Sequence, residues 1–157
     1  MFSFGNSNYE NFTPYPSFYS MYYFRKYCGD ILLNHTVHGG DDIVVFPTRF
    51  SSKQLGITLI NKGTSDQTVS IIANNFENGS RYYTYCIRGE AGTDFSNEVY
   101  INNVAPSKGF TGPENYRSIK SNSSIIDSDI NVVIPPFSMM TLLIDSQIRN
   151  ERNSDKK

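Results

Sequence analysis

The chain has 157 residues, of which 14 are basic and 15 acidic, for a formal net charge of -1. That length suits one domain with appendages, large enough to bury a core without staples. The well-mixed charges offer no basic stripe for nucleic acid and no polybasic tract for a membrane surface, and no apolar run approaches the roughly 18 residues that a bilayer-spanning segment needs.

Residues 1 to 15 are polar and aromatic without a period, and Asn6, Asn8, Asn11, Thr13 and Pro14 mark them as loop. Met1-Phe2-Ser3-Phe4-Gly5-Asn6 lacks the basic start and long apolar core of an export signal. Pro16 to Tyr27 reads as a helix. Pro16 suits the first turn, Arg25 and Lys26 favour the carbonyl end of the dipole, and Gly29 stops it. Phe18, Met21, Tyr22 and Arg25 form one stripe and Tyr19, Tyr23 and Tyr27 a neighbouring one, a wider apolar arc than a surface helix needs. A sandwich supplies a neighbour on only one side. The pattern therefore predicts an exposed apolar patch on the helix, a loosely attached segment 1 to 30, and a sandwich that stays folded without it.

Asn34 to Asp42 reads as a linker. His35, His38, Asp41 and Asp42 have the residue types of a metal site, but a mixed polar loop beside Gly39-Gly40 explains them more simply. Strands begin at Ile43, with Pro47 marking an edge or bulge in the first, Ile43 to Phe50. Leu55 to Ala73 holds two runs of period two around a polar insert containing Lys62-Gly63, and predicts the central hairpin. Arg81 to Ile87 is dense in Tyr and Thr and follows an apparent turn at Asn78-Gly79. Glu98 to Asn102 predicts a short strand closed by Asn102-Asn103. A sixth is expected around Tyr116 to Ile119, and Ile130 to Ile134 and Ser138 to Asp145 predict the last two. The sum is an all-β fold, an antiparallel two-sheet β-sandwich of seven or eight strands with one N-terminal α-helix. Its division is 1–33 (loop and helix), 34–42 (linker), 43–146 (sandwich) and 147–157 (disordered tail). Alternation puts Val45, Ile57, Leu59, Val69, Ile71, Leu142 and Ile144 on inward faces.

Chemistry is sparse. No Gly-x-Ser-x-Gly, P-loop or His-Glu-x-x-His motif occurs, and no cofactor is expected. Cys28 and Cys86 read as two buried free thiols, with a disulfide as the other arrangement; their spacing does not suit zinc. Sugar hydrolysis needs two facing acids, so Glu90, Asp94 and Glu98, and separately Asp127 and Asp129, are the carboxylates to follow. Solvated loops explain both sets more simply, although alternate oxygen ligands at Asp127 and Asp129 would suit Ca²⁺. The 11 Tyr and 11 Phe read first as core and sheet packing. Tyr82, Tyr83, Tyr85 and Tyr100 are the candidates for stacking on sugar rings; a row of them on one exposed face would favour carbohydrate binding, and burial would favour a scaffold.

Tyr22-Tyr23-Phe24-Arg25-Lys26-Tyr27-Cys28-Gly29-Asp30 resembles the last helix of a clan-A glycoside hydrolase barrel and its exit. Arg49-Phe50-Ser51-Ser52-Lys53-Gln54-Leu55-Gly56-Ile57-Thr58-Leu59-Ile60-Asn61-Lys62-Gly63 resembles the first hairpin of the sandwich that follows such a barrel, and Phe95 to Asn102 and Ile134 to Ile144 resemble later strands. The closest similarity is to agarase-like, polysaccharide-degrading enzymes. The resemblance implies a non-catalytic accessory sandwich with a structural role, a fragment whose partner is a missing (β/α)8 catalytic domain. It carries over no catalytic residue, because the acids of such enzymes lie on earlier barrel strands. It also implies an extracellular parent if that parent is secreted. The alternatives are a carbohydrate-binding module, with polysaccharide as partner, and an unrelated adhesion-like sandwich.

Overall fold

The computed structural model describes residues 2–3, 13–90, 96–127 and 129–147. The elements in chain order are β1 (Phe2–Ser3), β2 (Thr13–Pro14), α1 (Pro16–Tyr27), β3 (Ile31–Leu32), β4 (Ile43–Arg49), β5 (Leu55–Asn61), β6 (Gln67–Ile71), β7 (Asn78–Arg88), β8 (Tyr100–Ile101), β9 (Asn122–Ile125), β10 (Ile130–Ile134) and β11 (Ser138–Ser146). A seven-stranded antiparallel sheet runs β3-β4-β5-β11-β7-β8, with β9 also pairing to β7. A second sheet holds β10 and β6, and β1 pairs with β2. The fold is the antiparallel sandwich with one helix. The tail lies outside the described residues from 148 onward.

The expected hairpin of Leu55 to Ala73 does not form. β5 pairs with β4 and β11 in the large sheet, while β6 crosses to the other sheet and pairs with β10. Asn61 braces the crossover. Its buried Nδ2 donates to the carbonyls of Ser65 (2.8 Å), Ile134 (3.0 Å) and Pro135 (3.0 Å), and its Oδ1 accepts from Gly63 N–H (2.9 Å). One side chain thus ties the end of β5 to the turn before β6 and to the turn between β10 and β11.

The inter-sheet core contains all seven expected residues. Ile57, Leu59, Leu142 and Ile144 are buried, and Val45, Val69 and Ile71 pack half-buried against them. β10 adds Ile130, Val132 and Ile134 through its alternation.

Local chemistry explains most strand ends. The Pro47 carbonyl accepts from Leu33 N–H (2.9 Å) on the side away from β5, so the missing proline N–H also lies on that side and removes no β4–β5 bond. Asn102 and Asn103 both take positive φ (49° and 65°), and Ile101 and Val104 close the turn across them. Two expectations are corrected. Asn78-Gly79 is not a turn but the start of β7, where the register against β11 shifts between Ile144 and Ser146. Adding a Cβ to Gly79 would bring it within 2.9 Å of Asp145, so this close approach explains the glycine. Tyr116 to Ser118 is turn and Ile119 irregular rather than strand, and the pairing segment lies later, at Asn122–Ile125. Cys28 and Cys86 are free and half-buried.

Candidate functional site

The outer face of the large sheet carries a second core, and α1 lies on it. Register places Phe46, Thr58, Thr141 and Tyr85 in one row across β4, β5, β11 and β7, and Ile60, Met139, Ile87 and Ile101 in a parallel row. The small side chains in the first row leave a trough between two aromatic walls. Phe24 meets Phe46 edge-on at 5.9 Å, while Tyr23 and Tyr27 meet Tyr85 at 4.9 and 4.8 Å. At the helix exit, a Cβ on Gly56 would stand 2.2 Å from the Tyr27 carbonyl, so only glycine lets the chain descend onto β5.

The second neighbour of the helix is the long excursion after β8, which folds back over it. Tyr116 meets Phe18, Tyr19 and Tyr22 edge-on at 5.5, 5.5 and 4.9 Å, and its carbonyl accepts from the Tyr23 hydroxyl (2.6 Å). Tyr19 lies against Gly112, where a Cβ would stand 2.5 Å from its ring. Tyr19 and Tyr23 are each only 1% exposed. The expected exposed patch is therefore corrected for the helix: one face of α1 covers the sheet, the excursion covers the other, and Met21, 68% exposed, is its most exposed large hydrophobic side chain. Residues 4–12 of the segment expected to be loosely attached lie outside the described residues.

Burial pushes the phenols of Tyr19, Tyr23 and Tyr27 above the ordinary tyrosine value. The Tyr23 phenol rises further through Tyr85, and the Tyr27 phenol through its hydrogen bond with Tyr85. Groups held neutral this firmly pack and donate hydrogen bonds; they do not exchange protons at neutral pH. The Thr141 hydroxyl is buried in the same trough without a hydrogen-bond partner among the described residues. Thr141→Val is expected to stabilise the fold by up to about 1 kcal/mol, because it removes a desolvated polar atom at similar volume. A urea titration checks this, and a loss of more than that amount would mean the hydroxyl is hydrogen-bonded in solution.

The two segments carrying the family resemblance meet at the helix exit. Gly29 N–H donates to Thr48 Oγ1 (2.7 Å), which donates to the Gly56 carbonyl (2.8 Å). The Asp30 carboxylate accepts from the Ser51 hydroxyl (2.8 Å) and N–H (3.0 Å), which hold it below the usual aspartate value. Asn102 was not foreseen as an organiser. It fills the gap between β8 and β9 along β7, accepting from Cys86 N–H (2.8 Å) and donating to the Lys120 carbonyl (2.9 Å). Its position in an Asn-Asn turn was the available signal.

A groove of about 450 Å³ opens between the first turns of α1 and the ends of β5, β7 and β11. Ile60, Ile87, Val99 and Met139 line it with Ser17, Ser20 and Arg88, and Glu98 is the one carboxylate among its described lining residues. Hydrolysis by paired acids needs a second carboxyl group within about 5–10 Å. Glu90 is exposed, Asp94 lies outside the described residues, and Asp127 and Asp129 are exposed beside β10. His35, His38, Asp41 and Asp42 are exposed, and the described residues contain no group of three or more His, Cys, Asp or Glu placed to hold a metal ion.

The four tyrosines proposed for sugar stacking divide between environments. Tyr82 packs against the inter-sheet core and Tyr85 against the helix. Tyr83 is half-buried, and Tyr100 is half-buried with the Arg88 guanidinium 5.6 Å from its ring centre. They do not form one row.

No family model matches the chain, and no curated protein does. Solved structures do match in fold. A bifunctional glucanase-xylanase from a metagenome library superposes with a TM-score of 0.61 at 17% identity, over 86% of this chain and 24% of that one. A GH51 α-L-arabinofuranosidase from Thermotoga petrophila RKU-1 gives 0.62 at 12% identity, over 88% and 31%. A GH30 endoxylanase from Clostridium papyrosolvens C71 gives 0.56 at 13% identity, over 84% and 28%. These neighbours are clan-A glycoside hydrolases, and this chain spans less than a third of the length of each.

Proposed function

We propose that this chain is the accessory β-sandwich of a longer polysaccharide-degrading glycoside hydrolase, together with the helix that leads into it, and that its role is structural. In this reading residues 1–33 are the end of a (β/α)8 barrel, 34–42 the linker and 43–146 the accessory domain. The observation that carries it is the fold match: nearly the whole helix-plus-sandwich unit superposes on a minor part of several such enzymes. The groove with its single described carboxylate, and the neutral tyrosines under the helix, support a scaffold. The agarase-like flavour of the strand motifs makes agar a substrate to include in testing.

Assayed at high load on agar, xylan and β-glucan, the chain is expected to release no sugar. Turnover that survives purification and disappears in Glu98→Gln would overturn the scaffold reading. The same preparations test the carbohydrate-binding module: retention on insoluble polysaccharide that is lost in Tyr83→Ala or Tyr100→Ala would favour it, whereas Tyr82 and Tyr85 are placed to support the cores.

A further inference from the structure

We propose that the free edge of β6 pairs with β6 of a second copy of this chain, forming a two-fold dimer with a continuous four-stranded sheet. Among the described residues β6 pairs only with β10, so alternate N–H and C=O groups along its other side have no strand partner. The usual protections are missing. From Gln67 to Ala73 the edge has no charge, no proline and no glycine. An aspartate stands just before each strand, Asp66 before β6 and Asp129 before β10, but only β10 runs into a proline pair, Pro135-Pro136.

The second sheet also ends early over its core. The inward side chains of β10 are all buried, whereas Val69 and Ile71 on β6 are only half-buried. A further strand beside β6 would shield them.

A second copy fits this edge. An antiparallel pairing centred on Val69 sets Thr68 opposite Ser70, Gln67 opposite Ile71 and Asp66 opposite Ile72 of the second copy, so no like charges meet. The formal net charge of -1 leaves little repulsion between copies. This inference is independent of the proposed function.

Thr68 and Ser70 are exposed, on the face away from the core. In the double variant Thr68→Lys/Ser70→Lys, like charges would oppose each other across the two-fold while the inward face stays unchanged. Sedimentation of the wild-type chain over a concentration series is expected to show its mass doubling. The double variant is expected to remain a monomer with an unchanged melting temperature, and Met21→Lys on the helix to dimerise like wild type. A wild-type chain that stays monomeric, a double variant that still dimerises, or a dimer lost only in Met21→Lys would overturn the proposal. If the double variant melts lower, amide exchange of wild type decides: protection of Gln67–Ile71 must rise with concentration, and protection that does not would sink the idea.

Discussion

A chain lacking residues 1 to 30 is expected to lose cooperative folding rather than to release a soluble sandwich. The deletion removes Tyr19 and Tyr23 and bares the face of the large sheet that holds Ile87, Ile101 and Met139, which are 8% exposed or less in the intact protein. It also removes Gly29, which ties the helix exit to Thr48. Tyr23→Ala alone is expected to cost about 3–5 kcal/mol, the range for truncating a large buried aromatic. The loss exceeds packing, because the Tyr116 carbonyl also loses the hydroxyl it accepts from. Since stability is typically about 5–15 kcal/mol for a whole domain, removing the entire helix should exceed what the remaining sandwich holds. Urea titration followed by far-ultraviolet circular dichroism compares the variants. A truncated chain that unfolds cooperatively near the wild-type midpoint would show that the outer face of the sheet needs no cover.

Alkali is expected to unfold the protein well before it would unfold one with exposed tyrosines. The folded-state pKa values of Tyr19, Tyr23 and Tyr27 are raised above the ordinary value of 10.0, chiefly by burial. Below that value both folded and unfolded chains keep the protons and the stabilisation is complete. As pH rises above it, the unfolded chain releases protons that the folded chain retains, so stability falls. Each such phenol contributes a slope of up to about 1.4 kcal/mol per pH unit. The three phenols act in the same direction, so their slopes add. Urea midpoints measured from pH 8 upward should hold steady to about pH 10 and then drop steeply. Phenolate absorbance should appear in two stages, exposed rings first and buried rings together with unfolding. Tyr23→Phe keeps the ring and should flatten the drop. If every phenol ionised near its ordinary value while the chain stayed folded, the second core would be more open than the structure shows.

Several features were legible because they are local. Pro16 to Tyr27 is helical with the expected ends, since proline at the start, basic residues in the last turn and glycine beyond it act within a few residues of where they stand. β10 follows its alternation, β11 forms where expected, and Asn102-Asn103 forms the turn that asparagine's tolerance of positive φ permits. Pro47 is not at an edge, because β3 covers that side of β4. The division of the tyrosines was partly readable too. Tyr82 and Tyr85 are an odd number of residues apart in one strand, so they face opposite sides of the sheet.

Alternation by itself determined which residues share a face, and so named seven members of the inter-sheet core; the local end signals determined where the helix starts and stops. Only the tertiary structure decided which strands become neighbours and what covers the helix. β5 and β6 look like hairpin partners in sequence, but β6 pairs with β10 in the other sheet, and the buried amide of Asn61 braces the crossover by binding carbonyls 73 and 74 residues away. The aromatic helix looks over-hydrophobic for one sheet because its second cover, Tyr116, lies 93 residues beyond Tyr23 in the chain. Periodicity reports a side chain's direction over a few residues. Pairing and burial are won by the competing long-range contacts that satisfy the most backbone groups and exclude the most water, and no short window of sequence contains both partners.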